Sequence, residues 1–212
     1  MKLYTMWRSS AAYRVRIALN VKGLVYQSIP KKFATGEHRS PEYTALNPQG
    51  LIPALEDGGA VISQSLAIIE YLDETHRAPP LLPADPFGRA MVRSMAQAIA
   101  CDIHPLNNLR VRNYLRGPLH QDEGAVQTWS RHWIGEGFRG LEEQARRFST
   151  DGRHLYGAGL TLADICLVPQ IYNARRVDCD LSAFPTLVAI SAALEAQPAF
   201  SGARPEAQPD AA

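Results

Sequence analysis

Four prolines fall within Arg77-Ala78-Pro79-Pro80-Leu81-Leu82-Pro83-Ala84-Asp85-Pro86, and neither a regular helix nor a central strand can run through such a stretch. It reads as a stiff linker that divides the chain in two. Upstream, an apolar strand-like opening, Lys2-Leu3-Tyr4-Thr5-Met6, precedes a helix with Val15, Ala18 and Leu19 at helical spacing. Two short apolar runs, Ile52 to Leu55 and Ala60 to Ile62, flank the hairpin signal Asp57-Gly58-Gly59. A helix with Leu66, Ile69 and Leu72 on one face follows. The predicted order is βαβαββα.

No convincing strand signal follows the linker. Phe87 to about Leu115 reads as one long helix bent by Pro105. Trp129 to Phe148 reads as a second, with Trp133, Ile134, Phe138, Leu141 and Ala145 at helical spacing. Thr161-Leu162-Ala163-Asp164 starts a third with a capping-box pattern, which makes Thr161 and Asp164 folding determinants. Phe184-Pro185 to Ala196 supplies a fourth. The expected organisation is an α/β domain over 1–78, a linker over 79–86, an all-α domain over 87–200 and a loose tail over 201–212.

A net charge of +1 and the lack of a Lys/Arg-rich run argue against nucleic acid or an anionic membrane as partner. No apolar run approaches the roughly 20 residues of a membrane span, and no signal-peptide core opens the chain. Cys101, Cys166 and Cys179 are scattered without a Cys-x-x-Cys, which fits a reducing cytoplasm better than disulfides or zinc. Cys101 is expected in the core, as are Tyr4 and Tyr13.

Chemistry concentrates where strands hand over to helices. Ser9 or Ser10 can cap the first helix, leaving N–H groups and the positive dipole end facing an anion such as a thiolate. Arg14 and Arg16 fall on other faces of that helix. Pro53 at a strand start suits an edge or a cis bond, which would present the Ile52 main chain to an extended peptide. Gln64-Ser65 opens another helix, with Ser65 as its cap. Two helix starts and an open peptide edge suit an anionic tripeptide better than a nucleotide.

The succession of strand, Ser-Ser helix, Ile-Pro strand, hairpin and Gln-Ser helix resembles the thioredoxin-like domain of glutathione transferases. Ser9-Ser10-x-x-Tyr13-Arg14-Val15-Arg16-Ile17-Ala18-Leu19 resembles the zeta class, which includes maleylacetoacetate and maleylpyruvate isomerases. Ile103-His104-Pro105-Leu106-Asn107-Asn108-Leu109 and Gly159-Leu160-Thr161-Leu162-Ala163-Asp164 extend the resemblance from Lys2 to about Phe200. The chain departs from the class pattern at Ala11, where Cys is usual, and at His104, where Gln is usual.

The resemblance implies a glutathione transferase fold and glutathione as cofactor. Ser9, Ser10 and Ala11 would lie at its sulfur. His38 would meet its glycine end, and Gln49, Ile52, Pro53, Gln64 and Ser65 would hold its length. His104 and Asn108 would contact it from the helical domain. Class members are usually homodimers, and Asp102 is the candidate to meet the γ-glutamyl ammonium across the interface.

A small dicarboxylate needs at least two guanidinium clamps, because bidentate bonding fixes its orientation. The class places an arginine late in the helical domain, matching Arg176, in the substrate pocket; Arg176, Arg8 and Arg110 are the substrate residues expected here. Helix N–H groups and the Ser9 hydroxyl would favour the glutathione thiolate. Reversible addition to the double bond of a cis maleyl keto acid, rotation and elimination would give the trans isomer and return glutathione. Maleylpyruvate, as the compact substrate in aromatic catabolism, fits best. Maleylacetoacetate, a detoxifying conjugation of α-haloacids, and a non-catalytic binding role are the alternatives.

Overall fold

β1 (Lys2–Thr5) is a central strand. It pairs in parallel with β2 (Gln27–Pro30) and antiparallel with β3 (Ala54–Asp57), and β4 (Ala60–Ser63) lies outside β3, giving the order β2-β1-β3-β4. These positions come from a computed structural model, which describes residues 1–211. The parallel pair requires a crossover, which α1 (Ser10–Val21) supplies. Asp57 pairs with Ala60 across Gly58 and Gly59, whose φ of 56° and 86° suit the two-residue hairpin turn read from the sequence. Ser40 caps α2 (Pro41–Leu46), and α3 (Ser65–Thr75) packs on α1. Leu3, Leu55, Val15, Ile68, Ile69 and Leu72 are fully buried, and Tyr4, Ala12, Tyr43, Ile52 and Ala54 form a second apolar cluster.

Arg14 and Arg16, on other faces of α1, are buried as well. One expectation for this unit is corrected: the stretch after 200 is not loose. The compact unit comprises Met1–Pro80 joined by the residues from Ala196 onward. α9 (Pro198–Ser201) lies against α1, with Phe200 and Ala203 buried and Asn20 Nδ2 donating to the Ala199 carbonyl at 3.0 Å. The physical reason is mutual: Phe200 needs cover, and the buried Arg16 guanidinium needs carbonyl acceptors. Ala212 lies outside the described residues.

Leu81–Glu195 forms the helical unit. Asp85 caps α4 (Pro86–Gln97), accepting from Gly88 N at 2.7 Å. The single helix expected to Leu115 is broken. A wide π turn covers Ala98–Ile103 and a tight 3₁₀ turn covers His104–Asn107, after which Asn108 caps a new helix, α5 (Leu109–Arg116). Pro105 removes a helical donor, and Asn107 Nδ2 takes up the Ile103 carbonyl at 2.8 Å. The wide turn leaves Cys101 exposed, not in the core. α6 (Glu123–Phe148) starts at its Asp122 cap, ahead of the apolar periodicity.

The capping box at Thr161 and Asp164 opens α7 (Leu162–Arg176) as the spacing predicts. α8 (Pro185–Glu195) is held by a cap no local pattern discloses: the buried Glu142 of α6 accepts from Thr186 N and Leu187 N, both at 3.0 Å. Phe138 and Phe184 meet edge-on at 5.5 Å between ring centres. No helix among the described residues is long and apolar enough to cross a membrane.

Candidate active site

After β1 the chain turns through Met6, Trp7 and Arg8 into α1. Ser9 N donates to the Met6 carbonyl at 3.0 Å, and Ser9, rather than Ser10, is the cap: its Oγ accepts from Ala12 N at 3.2 Å. Tyr13 N takes the Ser9 carbonyl at 2.8 Å. The N–H groups of Ser10 and Ala11 therefore point out of the helix end beside a hydroxyl whose hydrogen remains able to donate. Ser10 is buried and Ala11 half-buried. Arg8 is exposed, with its guanidinium 4.6 Å from the centre of the Trp7 ring.

The second segment is a loop held from beneath. Asn47 Nδ2 and the Tyr43 hydroxyl both donate to the Leu51 carbonyl, at 2.8 and 2.6 Å. The Ile52-Pro53 bond is cis, and the Ile52 main chain has no hydrogen-bond partner among the described residues. Gln64, at φ 70°, turns the chain into α3, and its Nε2 donates to Gln49 Oε1 at 2.8 Å. A non-glycine residue in this region is strained, and such strain clusters at ligand sites.

Gln64 takes the cap position expected of Ser65, because its carbonyl already accepts the first helical bond from Ile68 N. Ser65 becomes the first helical residue, and its Oγ accepts from Arg14 Nη1 at 3.3 Å. His38 sits on a 3₁₀ turn, its ring 4.2 Å from that of Phe33. Burial and then the Arg39 charge hold its pKa below the ordinary histidine value, which favours a neutral imidazole near neutral pH. A Cβ at Gly50, whose φ is 59°, would stand 3.2 Å from the His38 carbonyl, so the His38 turn and the Gln49 loop are in close approach.

In the helical unit, Asp102 is exposed on the π turn. One turn later His104 Nε2 lies 3.3 Å from Asn108 Nδ2, while Asn108 Oδ1 accepts from Arg110 N at 3.1 Å. Asn108 is thus engaged at both ends of its amide. Arg110 and Arg176 are exposed, on the first turn of α5 and at the last residue of α7, and Arg175 pairs with Glu195 at 2.9 Å. Arg14 and Asn47 escaped sequence reasoning. Their only signal was polar side chains amid positions that helical spacing or a turn would bury. No metal-holding group of His, Cys, Asp and Glu occurs among the described residues.

The chain is similar to known proteins over its whole length. Residues 1–74 match the family model of the glutathione S-transferase N-terminal domain. A probable maleylacetoacetate isomerase of Vibrio cholerae is 53% identical over 211 residues, covering 99% of this chain and 97% of that one. The solved holo structure of a maleylpyruvate isomerase, described as a bacterial zeta-class glutathione S-transferase, superposes with a TM-score of 0.97 at 46% identity and covers all of both chains. A maleylacetoacetate isomerase from Methylobacterium extorquens AM1, solved with malonate and glutathione, reaches a TM-score of 0.95 at 39% identity, again over all of both chains. The Ser9 helix start, the cis Ile52-Pro53 bond and the Gln64-Ser65 helix start thus sit in a chain that belongs to the zeta class of glutathione transferases.

Proposed function

We propose that the protein is a glutathione-dependent cis–trans isomerase of a maleyl keto acid, with maleylpyruvate as the preferred substrate. The observation that carries this reading is the start of α1, where Ser9 is the cap, its Oγ accepts from Ala12 N, and the first-turn N–H groups of Ser10 and Ala11 lie outside the helical hydrogen bonding. The residues fit glutathione. The unpartnered Ile52 main chain would pair with its peptide, and the Gln64–Ser65 helix start, backed by the buried Arg14, would take a carboxylate. A neutral His38 would donate to the glycine end, with Gln49 fixing Gln64 and Pro53 shaping the edge. When bound, glutathione supplies a thiolate that adds reversibly to the substrate double bond and is returned.

The chain's own part is electrostatic. Ser9, Ser10 and Ala11 hold the sulfur as an anion, and Arg176, Arg8 and Arg110 clamp the two carboxylates and offset charge developing at the keto oxygen. Several cations favour the compact maleylpyruvate, whose second carboxylate lies close to the reacting carbons. Asp102, His104 and Asn108 complete the glutathione contacts, with Asp102 serving the partner protomer of a homodimer. The cytoplasm is the proposed compartment, since three scattered cysteines, odd in number and with no Cys-x-x-Cys spacing, suit a reducing environment.

A spectrophotometric assay of maleylpyruvate and maleylacetoacetate, with and without glutathione, tests the reading. Turnover without glutathione overturns it, net loss of thiol assigns a conjugating transferase, and equal kcat/KM for both substrates removes the preference. Arg176→Ala should raise KM and lower kcat together, because the clamp both binds and orients.

A further inference from the structure

The segment from Ala203 to Asp210 is built into the start of the proposed glutathione site. Asp210 Oδ2 accepts from Trp7 N at 2.9 Å, across 203 positions of sequence. The buried Arg16 ties the same two segments from the other side. Its Nη2 donates to the Trp7 carbonyl at 2.9 Å, and its Nε donates to the Ala203 carbonyl at 3.0 Å. Trp7 is therefore held at both its amide and its carbonyl. The residues it governs are Arg8, whose guanidinium lies over the Trp7 ring, and Ser9, whose amide closes the turn onto the Met6 carbonyl. Gln208 Nε2 locks the segment itself, donating to the Gly202 and Arg204 carbonyls at 3.1 and 3.0 Å.

We propose that this C-terminal segment is a strap that sets the Met6–Ser9 turn, with Asp210 as a positioning residue acting through Trp7 on Arg8 and Ser9. The function it deepens is the isomerase reading above. Asp210 Oδ1 is shielded without a hydrogen-bond partner, a cost that a merely surface carboxylate would not carry. With the strap released, the Trp7 amide loses its acceptor, and the turn samples geometries in which neither the Ser9 hydroxyl nor Arg8 is aimed.

The test is hydrogen exchange at the Trp7 amide together with kinetics and the thiol pKa of bound glutathione, in Asp210→Ala, Asp210→Asn and Gln208→Ala. Asp210→Ala should speed Trp7 exchange and lower kcat/KM about tenfold, the scale of one hydrogen bond to a charged group. The bound thiol pKa should rise. Asp210→Asn, which keeps an oxygen acceptor, should recover most of the loss, and Gln208→Ala should move all three readouts the same way but less. Faster exchange with unchanged kinetics and thiol pKa overturns the positioning role, as does a lowered melting temperature alone. Should Asp210→Ala fail to fold, Gln208→Ala decides. If the wild type neither binds glutathione nor isomerises, the functional reading fails, while Trp7 exchange still reports on the strap.

Discussion

In the proposed function Ser9 divides its hydroxyl between two tasks: the oxygen accepts from Ala12 N, and the hydrogen would be left for the sulfur. Ser9→Ala should cost about 1 kcal/mol of stability as a lost cap. It should raise the bound thiol toward its unassisted pKa of about 8.5, and turnover should fall roughly 10²-fold, the scale of one electrostatic donor. Ultraviolet titration of the thiolate reads the pKa directly, and Ser9→Thr, which keeps cap and hydroxyl, should stay close to wild type. An unchanged pKa and rate in Ser9→Ala would move the role to Ser10 or to the backbone alone. Ser9 was legible in the sequence because capping is local. The displacement of Ser65 from its expected cap was not, because it depends on Gln64 adopting a positive φ that only its Gln49 contact and the fold can hold.

At the scale of elements, the strands and the hairpin were legible because alternation and turn chemistry act over a few residues. The break after Gln97, the Glu142 cap on α8 and the packing of the last segment were not, since each depends on a partner brought in by tertiary structure. Asp164 shows both aspects. Its capping box is visible in sequence, yet the side chain is wholly buried and also accepts from Leu155 N at 2.7 Å. Burial is the largest influence and pushes its carboxyl up to about 6. A carboxyl whose folded pKa lies above its unfolded one stabilises the fold through its protonated form. That contribution is complete below about pH 4 and is lost as the pH rises through about 6. Asp164→Ala strands buried donors and should cost about 3 kcal/mol in urea unfolding. The gap from wild type should be larger at about pH 4 than at about pH 8, and a gap that widens with rising pH would instead make the ionised form the stabilising one.

For the whole molecule, the decisive question is whether one chain suffices. The helical unit leaves Phe87, Leu109, Tyr114 and Leu119 exposed, apolar surface of the kind that association covers, and it also exposes Asp102 on the π turn. If the protein is a homodimer in which Asp102 meets the γ-glutamyl ammonium bound to the partner, the two halves of the site can be broken on different chains. Sedimentation should give a dimer for the wild type, for Ser9→Ala and for Asp102→Ala. Asp102→Ala should raise KM for glutathione, since it removes a charge partner rather than the thiolate's donors. Mixed dimers of Ser9→Ala with Asp102→Ala chains then separate the geometries. Acting across the interface, the intact Asp102 of the first chain completes the site that holds the intact Ser9 of the second, so each mixed dimer should regain about half the wild-type activity at low glutathione. Acting within its own chain, Asp102 leaves each site of the mixed dimer with one lesion, and activity should not exceed the mean of the two parent variants.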